Sequence, residues 1–299
     1  MRIAILSRNK NLYSMRRLKS EARKAKVECD FVNPVDCQLV IDGEQSRILS
    51  RAVPLPEYDA VIPRIGASIT EYGLAVVKHF EMLGVYSVNS SQAISESRNK
   101  MRSLQVLTQA GLQVPSTVLT RSTYGLRASV DAVKGLPVVL KILQGTQGVG
   151  VMLVHTPISL GSVLDTLRTL DQDVIIQQFL VEGAGRDYRV FVVGDKVVAT
   201  MMRTAPKGEF RSNIHQGGEG NVIQLPEKYH EAAIRAAKAL DLQVAGVDLM
   251  ESNQGPMIIE VNSSPGFEGI EKATGINVAE TIIKHVKRSL RKKRKPIKR

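Results

Sequence analysis

Asp248, Glu260 and Asn262 are the residues whose types and spacing first invite chemistry. Residues 244–250 and 256–261 are apolar runs of strand length, rich in Val and Ile and separated by Ser-Asn-Gln-Gly, which predicts a β-hairpin. A three-residue loop Asn253-Gln254-Gly255, with Gly255 left-handed, pairs Ser252 with Pro256. Counting outward, Met250 then faces Ile258 and Asp248 faces Glu260, with Asn262 on the same side of the sheet. Two carboxylates directly opposite, with Cβ atoms ~4.5–5.5 Å apart, repel unless something positive lies between them. Neutralising either should therefore leave the metal-free fold intact or slightly firmer. Three oxygen-bearing side chains without His or Cys suit a hard cation such as Mg²⁺. The same residues also suit an edge hairpin whose acids face water, and Ser263-Ser264-Pro265-Gly266 ends the strand in either case.

Three further stretches carry candidate chemistry. Lys141 lies in the apolar run 138–143, followed by Gln144-Gly145-Thr146-Gln147-Gly148-Val149-Gly150. A lysine on an apolar strand is costly to bury without an anionic partner. The glycines after it allow a tight backbone that presents N–H groups to phosphate oxygens. No Gly-Lys-Ser/Thr follows, so this is not a Walker A loop, and a glycine-rich hairpin with a snorkelling lysine is the plainer alternative. Residues 174–180, which include Gln178, Phe179 and Leu180, form an apolar strand that bends toward Asp187. They suit a purine slot with a carboxylate for the ribose, or equally a core strand and a surface acid. The polar loop 204–221 presents Arg211, Ser212, Asn213 and His215 among glycines. Arg and Asn can clamp a phosphoryl group, although most such loops are only solvated.

These residues need elements to position them, and 299 residues suffice for two or three compact units. Residues 1–90 alternate strand-like and helix-like segments and read as a small α/β unit with a largely parallel sheet. Within it Asp42-Gly43 marks a hairpin turn, and Pro63 either ends its strand or places it at an edge. No GxGxxG follows the first strand, so a dinucleotide site is not indicated there. A helix over 92–110, closed by Gly111, carries Lys100 and opens a central unit, 91–180. The third unit, 181–286, begins with two strands joined by Gly194-Asp195, a two-residue hairpin turn, and ends in a helix from about 278.

Charge is informative once located. Lys and Arg number 41 against 29 acids, a net of +12. Residues 287–299 hold nine of those cations and no acid; without them the chain carries only +3. A balanced protein with a basic tail argues against a dedicated nucleic-acid fold. Pro296 interrupts any helix, so the tail is expected to be solvated. Cys29 and Cys37 stand alone, without a CxxC, as ordinary thiols. No apolar stretch reaches membrane-spanning length and the N-terminus lacks a secretory h-region, so no membrane partner and a cytoplasmic location are expected.

Together these pieces make the inventory of a nucleotide–Mg²⁺ enzyme. The order Lys100, Lys141 with GTQGVG, QQFL to Asp187, RSN, then VD and EVNSSPG resembles the ATP-grasp superfamily. Within it the chain is similar to the RimK-type ligases that add glutamate to the C-terminus of a small-subunit ribosomal protein. The resemblance includes RIAILSR, VIPRIG and FEMLG, and fades in the tail. It implies an ATP-grasp fold behind an N-terminal parallel-sheet α/β domain. It also implies ATP held by Lys100 and Lys141 under a lid of Gly145, Thr146, Gly148 and Gly150. Gln178, Phe179 and Leu180 would line the adenine slot, and Asp187 would hold the ribose. Arg211, Ser212 and Asn213 would meet the γ-phosphate, with Arg211 and Asn213 acting on the acyl phosphate made from it. Asp248, Glu260 and Asn262 would bind two Mg²⁺ or Mn²⁺. Gln178 stands where the family often has an acid, and Ser263 where it has Ala. L-glutamate and a ribosomal protein are the implied partners, a homo-oligomer is expected, and the tail could contact rRNA or an acidic protein. A small-molecule carboxylate ligase and a non-catalytic nucleotide- or RNA-binding protein are the rival readings.

Overall fold

A computed structural model describes residues 1–43, 45–143, 150–211 and 219–294. Four parallel strands form the N-terminal sheet, in the order Glu28–Val32, Arg2–Leu6, Ala60–Pro63, Tyr86–Ser87. Parallel neighbours need crossovers, and helices Tyr13–Lys24 and Thr70–Met82 provide two of them. Pro63 is the last residue of an interior strand, so it ends the strand and does not mark an edge. The hairpin around Asp42-Gly43 pairs Val40 with Arg47 in a separate small sheet. Cys29 is half-buried and Cys37 buried, and burial pushes both thiols up to about 11, so neither is primed as a nucleophile.

The other two sheets are antiparallel. The central one runs Val151–Val154, Val138–Ile142, Val174–Gln178, Thr117–Thr120, and keeps its own core of Val138, Leu140, Leu160, Leu164 and Ile176. The last runs Glu219–Val222, Lys196–Thr204, Arg186–Val193, Val244–Met250, Met257–Asn262. Val193 pairs with Lys196 across the expected two-residue turn, where Gly194 takes φ +64.

The cores cross the boundaries drawn from sequence. Ile3, Ile5, Met15 and Leu18 share one apolar cluster with Phe191, Phe267, Ile283 and Val286, so the first and third units form one packed body. Ala93, Leu107 and Leu112, expected in the central unit, belong to the core of the third. The expected helix over 92–110 is two helices, Ser91–Arg98 and Lys100–Gln109. Asn99 takes an extended backbone between them, and its side chain accepts from Arg102 N, which makes it the N-cap of the second helix. Lys100 thereby becomes the first residue of that helix.

The basic tail is also corrected. Helix Val278–Arg294 continues well past residue 286. Asn277 Oδ1 accepts from Glu280 N at its start. Ile282, Val286 and Leu290 recur at helical spacing on its buried face. Leu290 is 8% exposed, and Lys287 Nζ donates to Ala25 O at 3.0 Å, so this part of the tail is fastened to the N-terminal unit. Truncation after Val286 should therefore lower stability by about 1.5–3 kcal/mol, the worth of one buried Leu side chain. Urea denaturation checks this; an unchanged midpoint would return the segment to the solvated tail read from sequence.

Candidate functional site

The hairpin Val244–Met250/Met257–Asn262 places Asp248 opposite Glu260 and Gly246 opposite Asn262, as the alternation requires for one shared face. Its inner half differs from the count. Leu249 faces Ile258 and Met250 faces Met257, because a bulge follows Asp248. At the turn Gly255 takes φ +104 and its N–H donates to Ser252 O at 3.0 Å. The bulge reconciles that turn with the Asp248–Glu260 pairing.

Two residues not singled out from sequence complete this face. Arg189 lies opposite Asp248 on the neighbouring strand and binds it in a bidentate fork, Nε to Oδ1 at 2.7 Å and Nη2 to Oδ2 at 2.6 Å. Arg203 lies opposite Asp187 and binds both its oxygens at 2.5 and 2.6 Å, while its Nη2 also reaches Asp248 Oδ2 at 3.1 Å. Burial opposes the charge of Asp248, which is 5% exposed, but Arg189 and Arg203 outweigh it and hold the carboxyl below its ordinary range. Burial likewise opposes the Arg203 charge, and Asp248 and Asp187 raise its pKa nonetheless. Asn262 Nδ2 donates to Asp248 Oδ2 at 3.4 Å, and Glu260 is exposed. Among the described residues no three His, Cys, Asp or Glu side chains cluster for a metal, so a cation here would take a carboxamide as third ligand. Two carboxylates and one carboxamide fit a hard divalent ion, with positive charge already gathered at Asp248.

Both lysines face the same space. Lys141 Nζ donates to Gln177 Oε1 at 2.6 Å, and Lys100 Nζ to Leu143 O at 2.8 Å. Burial pulls Lys141 down to about 8, Glu260 and Asp248 pull it upward, and Lys100 pulls it down. Burial lowers Lys100 as well, against Glu260. The anionic partner that Lys141 lacks on its own strand is thus supplied in part from the third sheet. Gln177, also not singled out from sequence, is buried and donates to Thr117 Oγ1 at 3.0 Å, which fixes its carbonyl toward Lys141. A cleft of about 1380 Å³ is lined by Lys100, Lys141, Asp187, Arg203, Asp248 and Glu260, among others.

Gln178, Phe179 and Leu180 line that cleft too, Leu180 being buried and Gln178 Oε1 accepting from Ser116 N at 3.4 Å. Asp187 is present but gives both oxygens to Arg203, so a ribose would have to share it. Arg211 lines the cleft, and its guanidinium grips Glu209 at 2.7 Å, holding that carboxyl down to about 2. Gly150 takes φ +75, and a Cβ there would lie 2.3 Å from Ile142 Cγ1, so only glycine closes this end of the loop. Gly145, Thr146, Gly148, Ser212, Asn213 and His215 lie outside the described residues.

Two antiparallel sheets and the helix Lys100–Gln109, which bring lysines, a carboxylate–carboxamide set and paired arginines to one cleft, define an ATP-grasp ligase. Residues 97–286 match the RimK-like ATP-grasp domain and residues 1–94 the RimK pre-ATP-grasp domain, and the chain belongs to this family of ATP-dependent ligases. A relative from Picosynechococcus sp., named a probable alpha-L-glutamate ligase, is 46% identical over 97% of this chain and 96% of its own. The ATP-grasp ligase PsnB, solved with a minimal precursor, Mg and ADP, shares the fold with TM-score 0.75 at 17% identity, over 97% of this chain and 98% of that one. A RimK domain ATP-grasp protein from Sphaerobacter thermophilus gives TM-score 0.73 at 22% identity, over 95% and 99%. Among the described residues no helix is long and apolar enough to cross a membrane.

Proposed function

We propose that this ligase joins the amine of L-glutamate to the C-terminal carboxylate of a small-subunit ribosomal protein, at the expense of ATP. The observation that carries the reading is the convergence of Lys100 and Lys141 with Asp248, Glu260 and Asn262 around one cleft, in a chain whose relatives bear the glutamate-ligase name. A free carboxylate is a poor acyl donor because hydroxide leaves badly, so the acceptor first takes the γ-phosphoryl group of ATP. The glutamate amine then attacks the acyl carbon, releasing phosphate. Lys100 and Lys141 bind the polyphosphate. Gln178, Phe179 and Leu180 hold the adenine, and the Asp187–Arg203 pair orients the ribose side. Asp248, Glu260 and Asn262 would hold two Mg²⁺ or Mn²⁺, whose charge would offset that of phosphates and carboxylate. Arg211, Ser212 and Asn213 meet the γ-phosphate, with Arg211 and Asn213 acting on the transferring group, and Gly145, Thr146, Gly148 and Gly150 belong to the lid over the phosphates. The enzyme works as a cytoplasmic homo-oligomer, and its basic C-terminal segment steers it toward rRNA or an acidic protein.

Incubation with ATP, Mg²⁺, L-glutamate and purified small-subunit ribosomal proteins tests this. Mass spectrometry should find one acceptor heavier by glutamate at its C-terminus, with ADP released. ADP release with small carboxylates alone would reassign the acceptor. RNA binding without ADP release from any carboxylate would overturn the enzyme reading.

A further inference from the structure

A second groove lies at one edge of the N-terminal sheet and shares no lining residue with the cleft. It has a volume of about 620 Å³ and runs between helix Tyr13–Lys24 and the strand Glu28–Val32. Arg16, Lys19, Arg23 and Lys26 line it, all of them exposed. Their neighbours Arg17 and Lys24 take Glu21, but among the described residues no acid pairs with these four. Lys19 Nζ lies over the Phe31 ring at 5.0 Å, which puts the Phe31 side chain, and by alternation that of Cys29, on the helix side of the strand. Glu28, the one acid lining the groove, alternates to the other face, where Arg2 Nε is 3.9 Å away.

The strand Glu28–Val32 is the edge of its sheet, paired on one side only. Glu28 N donates to Met1 O at 3.1 Å, and Ser7 N to Val32 O at 3.0 Å. In a parallel ladder this parity turns the backbone groups of Glu28, Asp30 and Val32 toward Arg2–Leu6, and those of Cys29 and Phe31 outward. Among the described residues nothing meets those outward groups. An open ladder recruits another chain unless a proline, a bulge, a cover or charge prevents it. This strand has neither proline nor bulge. The charge beside it is of one sign, so it turns away basic chains and admits acidic ones.

We infer that this groove docks an extended acidic peptide, which adds as a further strand beside Glu28–Val32. Its backbone pairs with the outward N–H and C=O groups of Cys29 and Phe31, and its carboxylates meet the cations of the helix. Arg16, Lys19 and Arg23 recur at i, i+3 and i+7, a single stripe about 10 Å long. Alternate side chains of an extended peptide lie about 7 Å apart, so two carboxylates can meet this stripe, with Lys26 next in line. A nucleic acid could use the cations but has no backbone amides to continue the ladder. The peptide is the glutamate-bearing end of the product once it has left the cleft, and in naming that source the inference rests on the glutamate-ligase reading. Docking there keeps an acceptor that already carries glutamate beside the enzyme.

The test is fluorescence anisotropy of a labelled hexaglutamate peptide with the full-length enzyme, at low salt and without ATP. Wild type should bind the peptide, and binding should weaken as salt rises. Lys19→Glu combined with Arg23→Glu should weaken it by on the order of 10-fold, from two exposed ion pairs turned to repulsion. Cys29→Pro removes one outward N–H without touching the ladder to Arg2–Leu6, and should weaken binding by about 2- to 10-fold, the worth of one hydrogen bond. ATP affinity should stay unchanged in both, because neither touches the cleft. The double variant alters only exposed helix positions, and it carries the test if Cys29→Pro does not fold. Hexaglutamate binding equal to wild type in either folded variant overturns the inference. Hexauridylate bound as tightly as hexaglutamate, lost in the double variant and kept in Cys29→Pro, would give the groove to RNA and overturn it as well. A wild-type dimer that Cys29→Pro dissociates would mean that a second copy holds the edge, with the same consequence. Ligation is assayed separately: a wild type that binds hexaglutamate in this groove yet ligates no glutamate overturns the proposed function and the source named here.

Discussion

Asp248→Asn is expected to abolish ligation and also to lower the stability of the metal-free protein, whereas Glu260→Gln should abolish ligation with the fold unchanged. Repulsion between two facing acids would have made both variants neutral or firmer, and the structure corrects this for Asp248. Its carboxylate is the shared counter-charge of Arg189 and Arg203 in a buried setting. Removing one partner of such a group leaves uncompensated buried charge and costs about 3–5 kcal/mol, with Asn at the low end because its oxygen still accepts. Glu260 is exposed, and among the described residues no arginine pairs with it as Arg189 and Arg203 do with Asp248. The pH dependence has a definite sign. The folded carboxyl of Asp248 titrates below its unfolded value, so its stabilisation is complete above the ordinary aspartate range and is lost as pH falls through the folded pKa. Urea titrations of wild type and Asp248→Asn should differ at pH 7 and converge in strong acid. Equal midpoints at pH 7 would dismiss the shared counter-charge.

Lys141→Met should weaken ATP binding by about 10- to 100-fold, as expected for loss of a charge-assisted contact to phosphate. Its fold should change little for two opposed reasons. A lysine held at about 8 carries a charge penalty in the folded state below that pH, and Met relieves it. Met also orphans the buried Gln177 acceptor, which costs about 1–3 kcal/mol. The same depressed pKa predicts that nucleotide binding takes up a proton near pH 8, because polyphosphate favours the charged amine. Calorimetry at that pH in two buffers of different ionisation enthalpy should give different heats for wild type and equal heats for Lys141→Met. Equal heats for wild type would mean that Lys141 is already charged before ATP arrives.

Much of this protein was legible in its sequence because local patterns are governed by local physics. Alternating strands and helices over the first ninety residues specify a parallel sheet, and Gly194-Asp195 specifies a two-residue turn. A strand period of two was enough to set Asp248 against Glu260. The order of separated motifs was enough to indicate the family.

Arg189 and Arg203 were not legible, and the reason is two irregularities in strand register. Counting from the Gly194-Asp195 turn pairs Asp187 with Met202, whereas a register shift after Phe191 brings Arg203 opposite Asp187. A second shift after Asp248 keeps the facing acids in line although the turn beyond them is tighter than the count assumed. An extra residue in one strand is absorbed by neighbouring strands and the sheet's twist, so no short stretch of sequence encodes it. The grip of Arg211 on Glu209 also lay beyond periodicity. So did the single core shared by the first and third units, where Met15 and Phe267, far apart in the chain, enter one cluster. Sequence set the strands, turns and facing acids, because those depend on neighbours along the chain. Tertiary structure decided which arginines neutralise Asp248, because charges find partners through space.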